Sequence, residues 1–208
     1  MIVFVARHGE TDWNRAGRYQ GQQESMLTET GFAQAGALAR ALADRPIARV
    51  ICSPLSRCVE TAQPLADLHH VALERDRRAI EIAHGVWEGR LRSDLERDDA
   101  QTMRAWREAP QTVRFDGGES LEDVRLRWES FASDLRGEHD VAVVTHDVIV
   151  RLAILHAAGR PLSELWQPRV VNGGYAAFDV RDGRWTLVEE CVDAHLDGLR
   201  VNLSQQAL

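Results

Sequence analysis

The stretch Ile2-Val-Phe-Val-Ala-Arg-His-Gly-Glu-Thr-Asp-Trp-Asn14 decides how the whole sequence is interpreted. Residues 2–6 are apolar without alternation and rich in β-branched and aromatic side chains, which is typical of a strand buried on both faces. The run ends abruptly at Arg7 and His8, before a permissive Gly9. In open α/β sheets the ligand crevice lies outside the carboxyl ends of the strands. The stretch therefore predicts an anion-binding and nucleophilic cluster, although an isolated Arg-His-Gly is more often a plain surface turn.

Length and composition restrict the class of protein. The 208 residues contain no linker rich in Pro, Gly or Ser, so we expect one domain over residues 1–208. The net charge of −7 argues against a nucleic-acid binder, which needs a basic face. No basic segment with a cleavage site precedes the first strand, and no apolar run is long enough to span a bilayer. The three cysteines lack metal-ligand spacing and are odd in number, so we expect reduced, buried thiols and a cytoplasmic protein.

Two later strands repeat the arrangement of the first. An apolar run over residues 47–52 predicts a strand that is followed by a helix carrying Arg57. The run over residues 141–145 predicts another, with His146 at its tip just before a helix over residues 147–158. Charged or titratable side chains are therefore expected at three strand ends on one edge of the sheet.

The connecting segments supply the remaining candidates. A polar loop over residues 15–26 should lie over the tip of the first strand. Thr28 is a candidate N-cap for a helix ending near residue 45, and a short strand is expected at residues 71–73. Glu81 stands in a loop just before two glycines and a tryptophan. Residues 88–118 form a mixed-charge, mostly helical insertion, which we interpret as a lid; a helix then runs to about residue 136 and a hairpin follows over residues 175–192.

These residue types suit phosphoryl transfer. The planar forks of Arg7 and Arg57 match the oxygens of a phosphoryl group, and helix N-termini add positive potential. A neutral imidazole is a competent nucleophile toward phosphorus, and the surrounding cations stabilise the charge of the transition state. The carboxyl group of Glu81 could protonate a departing alkoxide and later accept a proton from water. The chemistry requires neither a metal nor a cofactor, and we expect none.

At this point the sequence resembles the histidine phosphatase superfamily, also called the phosphoglycerate mutase-like superfamily. The resemblance covers most of the chain, and an ordered set of motifs carries it: Arg7-His8-Gly9-Glu10-Thr11 with Asn14, Gln20-Gly21, Ser53-Pro54 with Arg57 and Thr61-Ala62, Glu81 with Gly85-Val86-Trp87-Glu88-Gly89, Gly117-Gly118-Glu119-Ser120 and Val143-Val144-Thr145-His146. It implies a three-layer α/β/α sandwich with a mostly parallel central sheet.

The resemblance also implies roles for individual residues. His8 would be the phosphorylated nucleophile and Glu81 the proton donor, and Arg7, Arg57 and His146 would bind the phosphate. The candidate catalytic residues are therefore His8, Glu81, Arg7, Arg57 and His146, and the candidate substrate-binding residues are Arg7, Asn14, Gln20, Gly21, Arg57, Glu81, His84, His146 and Asp147.

Two positions depart from the usual pattern of the family. Asp147 stands where a glycine commonly follows the second histidine. It suits a helix N-terminus and can pair with Arg151 one turn later, or it repels very highly charged substrates. His84 stands where the family often has an aromatic residue facing the substrate. It is either a substrate contact or an ordinary solvated or hydrogen-bonded histidine.

The sequence thus predicts a metal-independent phosphomonoesterase, a histidine acid phosphatase-type hydrolase that forms a phosphohistidine. A phosphoglycerate mutase is the first alternative, although mutases generally carry a larger insertion after the loop with the acid. A non-catalytic sensor of a phosphorylated ligand is the second, but binding alone needs no nucleophile. The partner should be a small phosphorylated substrate rather than nucleic acid or a membrane, and a homodimer stays one option. Candidate substrates include sugar phosphates, phosphoglycerate esters, phosphoserine and the nucleotide-loop phosphate of cobamide precursors, which analogy of fold cannot separate.

Overall fold

The computed structural model describes residues 1–202 and 206–207, which include a six-stranded sheet in the order β3-β2-β4-β1-β5-β6. The strands are β1 (Ile2–Arg7), β2 (Ile47–Cys52), β3 (Leu73–Arg75), β4 (Asp140–Thr145), β5 (Tyr175–Arg181) and β6 (Arg184–Val192). The α-helices are α1 (Asp12–Ala16), α2 (Glu29–Ala41), α3 (Ser56–Leu68), α4 (Arg92–Asp98), α5 (Ala100–Glu108), α6 (Leu121–Asp134) and α7 (Asp147–Ala158).

Strand β1 lies inside the sheet, between β4 and β5. It pairs in parallel with β4, with Arg7 opposite Thr145, and in antiparallel with β5. Residues 3–7 are all buried, which explains why the run of apolar residues does not alternate. The parallel pairs β1·β4, β4·β2 and β2·β3 bring the carboxyl ends of four strands to one edge.

Helices cover both faces of the sheet, which confirms the predicted three-layer α/β/α sandwich. On one face, alternate residues of β1 and β4 such as Val5 and Val143 pack with α5, α6 and α7. On the other face, Phe4 and Val144 pack with α2 and α3. Because successive side chains of a strand point to opposite faces of the sheet, alternate residues of the same strand belong to different cores.

Local signals set several element boundaries as predicted. Thr28 caps α2, where its side chain accepts a hydrogen bond from the backbone N–H of Gly31, and Gly159 ends α7 in the left-handed conformation. The turn between β5 and β6 contains Asp182 and Gly183, both with positive φ, as the Asp-Gly pair predicts.

Other predictions were wrong in detail. The third strand occupies residues 73–75 rather than 71–73, because it pairs with β2 at Val50–Cys52. Helix α2 ends at residue 41 rather than near residue 45. Cys191 is only partly buried, whereas Cys52 and Cys58 are buried, and all three thiols are free.

The insertion over residues 88–118 contains two helices, α4 and α5, that meet at Asp99. Its apolar residues Leu95, Met103 and Trp106 are buried in the same core as α6 and α7. Within the described residues, no helix is long and apolar enough to cross a membrane.

Candidate active site

The ends of three parallel strands bring the predicted residues together. His8 follows β1, His146 follows β4, and Arg57 lies in the first turn of α3, which begins after β2. A single cavity is lined by Arg7, His8, Asn14, Gln20, Gly21, Arg57, Glu81, His84, Asp147, Val148 and Ala207. Of the nine predicted site residues other than the nucleophile, only His146 does not line this cavity.

His8 is held in one tautomer by the chain immediately after it. Its Nδ1 lies 2.7 Å from the carbonyl oxygen of Gly9, so Nδ1 carries the proton and Nε2 keeps its lone pair. Burial, followed by the charges of Arg57 and Arg7, lowers the pKa of His8 well below its usual range. The ring is therefore neutral at neutral pH, which is the nucleophilic form.

The bend after β1 requires glycine. A Cβ atom at Gly9 would lie 2.5 Å from the carbonyl oxygen of Gly31 in α2, a clash that involves backbone on both sides. The backbone N–H of Gly9 donates to the Thr61 hydroxyl over 3.0 Å. The close approach of α2 therefore fixes the loop that carries His8.

The two arginines are buried and oriented by contacts on their outer nitrogens. Arg57 donates through Nη1 to the carbonyl of Gln23 (2.8 Å) and through Nη2 to that of Gly21 (2.7 Å). Arg7 donates through Nη2 to Oε1 of Gln206 over 2.7 Å. Arg57 Nε and Arg7 Nε and Nη1 have no hydrogen-bond partner although they are buried. The two Nε–H groups are available to the oxygens of a phosphate, whereas Arg7 Nη1 also lies 3.3 Å from Oδ1 of Asp147.

Asn14 adds another donor to the same cavity. It belongs to the capping box of α1, in which Thr11 N donates to the Asn14 Oδ1 over 3.1 Å. Asn172 Nδ2 also donates to that oxygen, over 3.2 Å. The side-chain oxygen of Asn14 therefore accepts two hydrogen bonds, whereas its Nδ2 group has no hydrogen-bond partner. Gln20 is fixed similarly, because its Oε1 accepts from the hydroxyls of Thr11 and Ser25.

Glu81 presents a carboxyl group that gains and loses its proton near neutral pH. Burial, and to a smaller extent the charge of Asp147, raises its pKa to about 7, against the opposing hydrogen bond from Ile82 N to Oε1 (2.9 Å). Arg127 of α6 pins the loop by donating to the carbonyls of Ile80 (2.6 Å) and Glu81 (2.9 Å). A buried, fixed carboxyl group with this pKa suits general acid and base catalysis.

Among the described residues, none hydrogen-bonds the ring of His84, which is buried. It is 4% exposed and lies among the rings of Tyr19, Trp106 and Phe115, with centroids 4.7 to 5.9 Å away. Neither ring nitrogen has a hydrogen-bond partner, and burial followed by the charge of Arg57 lowers its pKa to about 3. A neutral imidazole therefore faces the cavity.

His146 lies behind the nucleophile rather than in the wall of the cavity. Its ring centroid is 5.3 Å from that of His8, with the rings edge to face. Its Nε2 is 2.8 Å from the Ser53 hydroxyl and 3.4 Å from the Cys58 sulfur. Burial, followed by the charge of Arg57, lowers the pKa of His146, so this ring is also neutral.

Asp147 pairs with Arg151 as predicted, with 2.6 Å between Oδ2 and Nε. The sequence did not indicate its second partner, Arg7, whose Nη1 lies 3.3 Å from Oδ1. Residues 206–207 were also missed: Gln206 bridges Arg7 and Asn172 (2.8 Å), and Ala207 lines the cavity. In the part of the chain that the structure describes, no group of three or more His, Cys, Asp or Glu is arranged to hold a metal ion.

The fold and the cavity define a class: an α/β protein with a neutral histidine nucleophile in a phosphate-binding pocket at the strand ends. Comparison of the sequence with protein families agrees, because residues 3–192 match the histidine phosphatase superfamily (branch 1). The chain belongs to this superfamily.

Individual relatives cover nearly the whole chain. It is 33% identical to Phosphoserine phosphatase 1 of Hydrogenobacter thermophilus over 197 residues, which are 93% of each chain. It is 34% identical to the adenosylcobalamin/alpha-ribazole phosphatase of Salmonella typhimurium over 190 residues, which are 90% of this chain and 94% of the relative. Among solved structures, Bacillus stearothermophilus YhfR aligns with a TM-score of 0.87 at 29% identity, covering 94% of this chain and 98% of that one.

Proposed function

We propose that the protein hydrolyses small phosphomonoesters through a phosphohistidine at His8, without a metal. Membership of the histidine phosphatase superfamily, together with relatives that are named phosphatases, supports a phosphomonoester hydrolase. One observation supports the roles of the individual residues: buried N–H groups of Arg7, Arg57 and Asn14 without hydrogen-bond partners share a cavity with the neutral His8 and with Glu81. Such an arrangement binds an anion and presents it to a nucleophile.

The residues can carry out both half-reactions with balanced protons. Nε2 of His8 attacks phosphorus, the bond to the ester oxygen breaks, and the leaving oxygen takes the proton of Glu81. Water then attacks the phosphohistidine and gives a proton to the Glu81 carboxylate, which restores the acid and releases inorganic phosphate. The arginines stabilise the charge on the phosphoryl oxygens in both transition states.

For the substrate we propose a compact, polar leaving group. Ala207 is buried and lines the cavity, and the neighbouring buried Gln206 accepts a hydrogen bond from Arg7, so these residues limit the space for a leaving group. His84 offers a neutral ring with unpartnered nitrogens, which can hydrogen-bond a polar group of the substrate. Phosphoserine fits this description better than a bulky nucleotide ester such as alpha-ribazole 5′-phosphate.

A panel of phosphomonoesters tests this proposal. We expect release of inorganic phosphate in the presence of EDTA, with the highest kcat/KM for small polar esters such as phosphoserine. His84→Phe keeps a ring but removes both nitrogens, so it should lower kcat/KM for phosphoserine while nitrophenyl phosphate is affected less. His139→Phe, on an exposed residue, is the matched control. Preference for the nucleotide ester would overturn the proposed substrate class, and absence of phosphate release from every ester would overturn the activity.

The same cavity also suits a phosphoglycerate mutase, which must retain the phosphoryl group and exclude water. We expect phosphate release at a rate that does not depend on a diphosphorylated primer. Interconversion of 2- and 3-phosphoglycerate with little phosphate release would favour the mutase. Binding of phosphate without turnover would favour a sensor.

Three wider proposals accompany this function. Residues 88–118 would act as a lid, since Arg92 in this segment donates to the carbonyl of Gln206 (3.4 Å) beside the cavity. The protein would work in the cytoplasm on a small metabolite, with neither nucleic acid nor a membrane as a partner. A homodimer is the proposed assembly, and light scattering at several protein concentrations would test it.

A further inference from the structure

A buried carboxylate in a phosphate pocket needs an explanation. Asp147 is 2% exposed and lines the same cavity as Arg7, His8 and Glu81. Negative charge near a phosphate dianion opposes binding, and burying an ionised carboxylate is costly unless it is paired. A role at the N-terminus of α7 alone does not require the side chain to enter the cavity.

The contacts of Asp147 hold its charge in place. Oδ1 lies 3.3 Å from Arg7 Nη1 and Oδ2 lies 2.6 Å from Arg151 Nε. Arg151 is itself fixed, because it donates to the carbonyl of Pro168 and its guanidinium lies 5.1 Å from the ring centroid of Trp166. Asp147 is thus clamped between two guanidinium groups, and only one of them, Arg7, lines the cavity.

The charged neighbours of Glu81 show which effect the negative charge of Asp147 opposes. The titratable and charged groups facing it are Arg7 from β1, Arg57 and Cys58 from α3, Arg127 from α6, Asp147 from α7, and His8 and His84 in the cavity. Three of these are cations, which favour an ionised carboxylate. General acid catalysis requires the opposite state, a proton on Glu81 when the ester oxygen leaves.

We propose that Asp147 is a positioning residue that acts through Glu81: its fixed negative charge offsets the arginines of the cavity and keeps the Glu81 carboxyl group protonated. The inference rests on the proposed function only in giving Glu81 the role of acid. Burial favours the protonated state of Glu81, whereas the phosphate-binding arginines favour the ionised state. Asp147 adds to the effect of burial and need not touch the substrate. A glycine at this position would provide no such charge.

The direct test is a titration of Glu81 that does not depend on turnover. We would follow the ¹³C resonance of the Glu81 carboxyl group against pH, assigned with Glu81→Gln. Asp147→Asn keeps a hydrogen-bond acceptor for Arg7 but removes the charge, so the midpoint should fall by about one pH unit. Arg151→Met leaves the charge of Asp147 less neutralised, so the midpoint should rise. Opposite shifts in the two variants would support the proposal.

The same variants have a kinetic readout. In single turnovers with an alkyl phosphate, the pH at which formation of the phosphohistidine declines should move down in Asp147→Asn by the same amount as the midpoint. Inorganic phosphate should bind about tenfold more tightly to this variant, because one negative charge has left the pocket. A purely structural role would instead weaken phosphate binding and lower the rate without moving the pH profile, and this result would overturn the proposal.

Removing Asp147 alone leaves two buried arginines without their partner, which can prevent folding. The double variant Asp147→Asn/Arg151→Met removes one charge of each sign and keeps the net charge of the chain. Its Glu81 midpoint should still fall, since Arg151 lies outside the cavity. An unchanged or raised midpoint would overturn the inference even if phosphohistidine forms normally, whereas a lowered midpoint with no phosphohistidine would overturn only the proposed function.

Discussion

The Nδ1 atom of His8 lies 2.7 Å from the carbonyl oxygen of Gly9, the next residue in the chain. A carbonyl only accepts hydrogen bonds, so this contact places the ring proton on Nδ1. The lone pair is then on Nε2, the atom at the far side of the ring. The backbone therefore determines which nitrogen of the nucleophile can react.

This relationship predicts the site of phosphorylation at atomic level. Incubation with a phosphomonoester followed by an alkaline quench should trap phosphohistidine on His8, bonded at Nε2, which NMR coupling between ring protons and phosphorus can identify. His8→Ala should abolish the adduct, and His139→Ala, on an exposed residue, should leave it unchanged. An adduct at Nδ1, or on His146, would show that the tautomer or the nucleophile is assigned wrongly.

Much of this site was predictable because its geometry follows from strand order and short-range signals. The buried runs before Arg7 and His146 predicted strands that end at one edge of the sheet, and these strands pair in parallel as β1 and β4. Asn14 stands three residues after its capping partner Thr11, a spacing visible in the sequence. Strand ends and caps are local features, and these can be inferred without tertiary contacts.

The contacts that orient the site were not predictable, since they join distant parts of the chain. Gln206 reaches Arg7 across 199 positions, and Arg127 in α6 fixes the loop of Glu81 across 46. No composition or periodicity marks such residues before the chain is folded. Asp147 illustrates the limit: its pairing with Arg151 follows from helical spacing, whereas its pairing with Arg7 depends on the sheet.

The contacts of Arg57 predict that lysine is a poor replacement for this residue. Its Nη1 and Nη2 hold the carbonyls of Gln23 and Gly21, while Nε is available to the phosphate, so three contacts radiate from one planar group. A lysine ammonium cannot reproduce that geometry. We expect Arg57→Lys to lower kcat/KM by roughly a hundredfold, equivalent to about 3 kcal/mol. Arg40→Lys, on the exposed side of α2, is the control, and near-normal kinetics for the Arg57 variant would place its guanidinium outside the reaction.

The raised pKa of Glu81 also predicts how stability varies with pH. The folded protein holds this proton up to about pH 7, whereas an unfolded glutamate releases it near 4.5. Between these values the native state binds more protons, so the free energy of unfolding falls as pH rises. Glu81→Gln does not titrate and should be relatively more stable at higher pH.

Urea unfolding at about pH 5 and about pH 8 measures this effect. The difference in the free energy of unfolding between Glu81→Gln and the parent should increase by roughly 2 kcal/mol from the lower to the higher pH. Glu108→Gln, at an exposed position, should show no such change. A constant difference across this range would mean that Glu81 titrates normally in the folded protein.

The last prediction concerns Glu81 as the general acid. An alkyl phosphate expels a very poor leaving group, so protonation by a positioned carboxyl group should contribute roughly 10²–10⁴-fold to the rate. A nitrophenyl phosphate expels a stable phenolate and needs little protonation. Phosphorylation of His8 should therefore survive Glu81→Gln far better with the nitrophenyl ester than with an alkyl ester.

The comparison must use single-turnover formation of the phosphohistidine, because the Glu81 carboxylate also serves as the base for water attack and its loss slows turnover of both esters. The parent enzyme should lose activity toward the alkyl ester as pH rises through about 7, where Glu81 deprotonates, and keep phosphorylation by the nitrophenyl ester. Equal slowing of the two phosphorylation steps by Glu81→Gln would exclude Glu81 as the acid. His84, whose ring nitrogens face the same cavity, would then be the next residue to substitute.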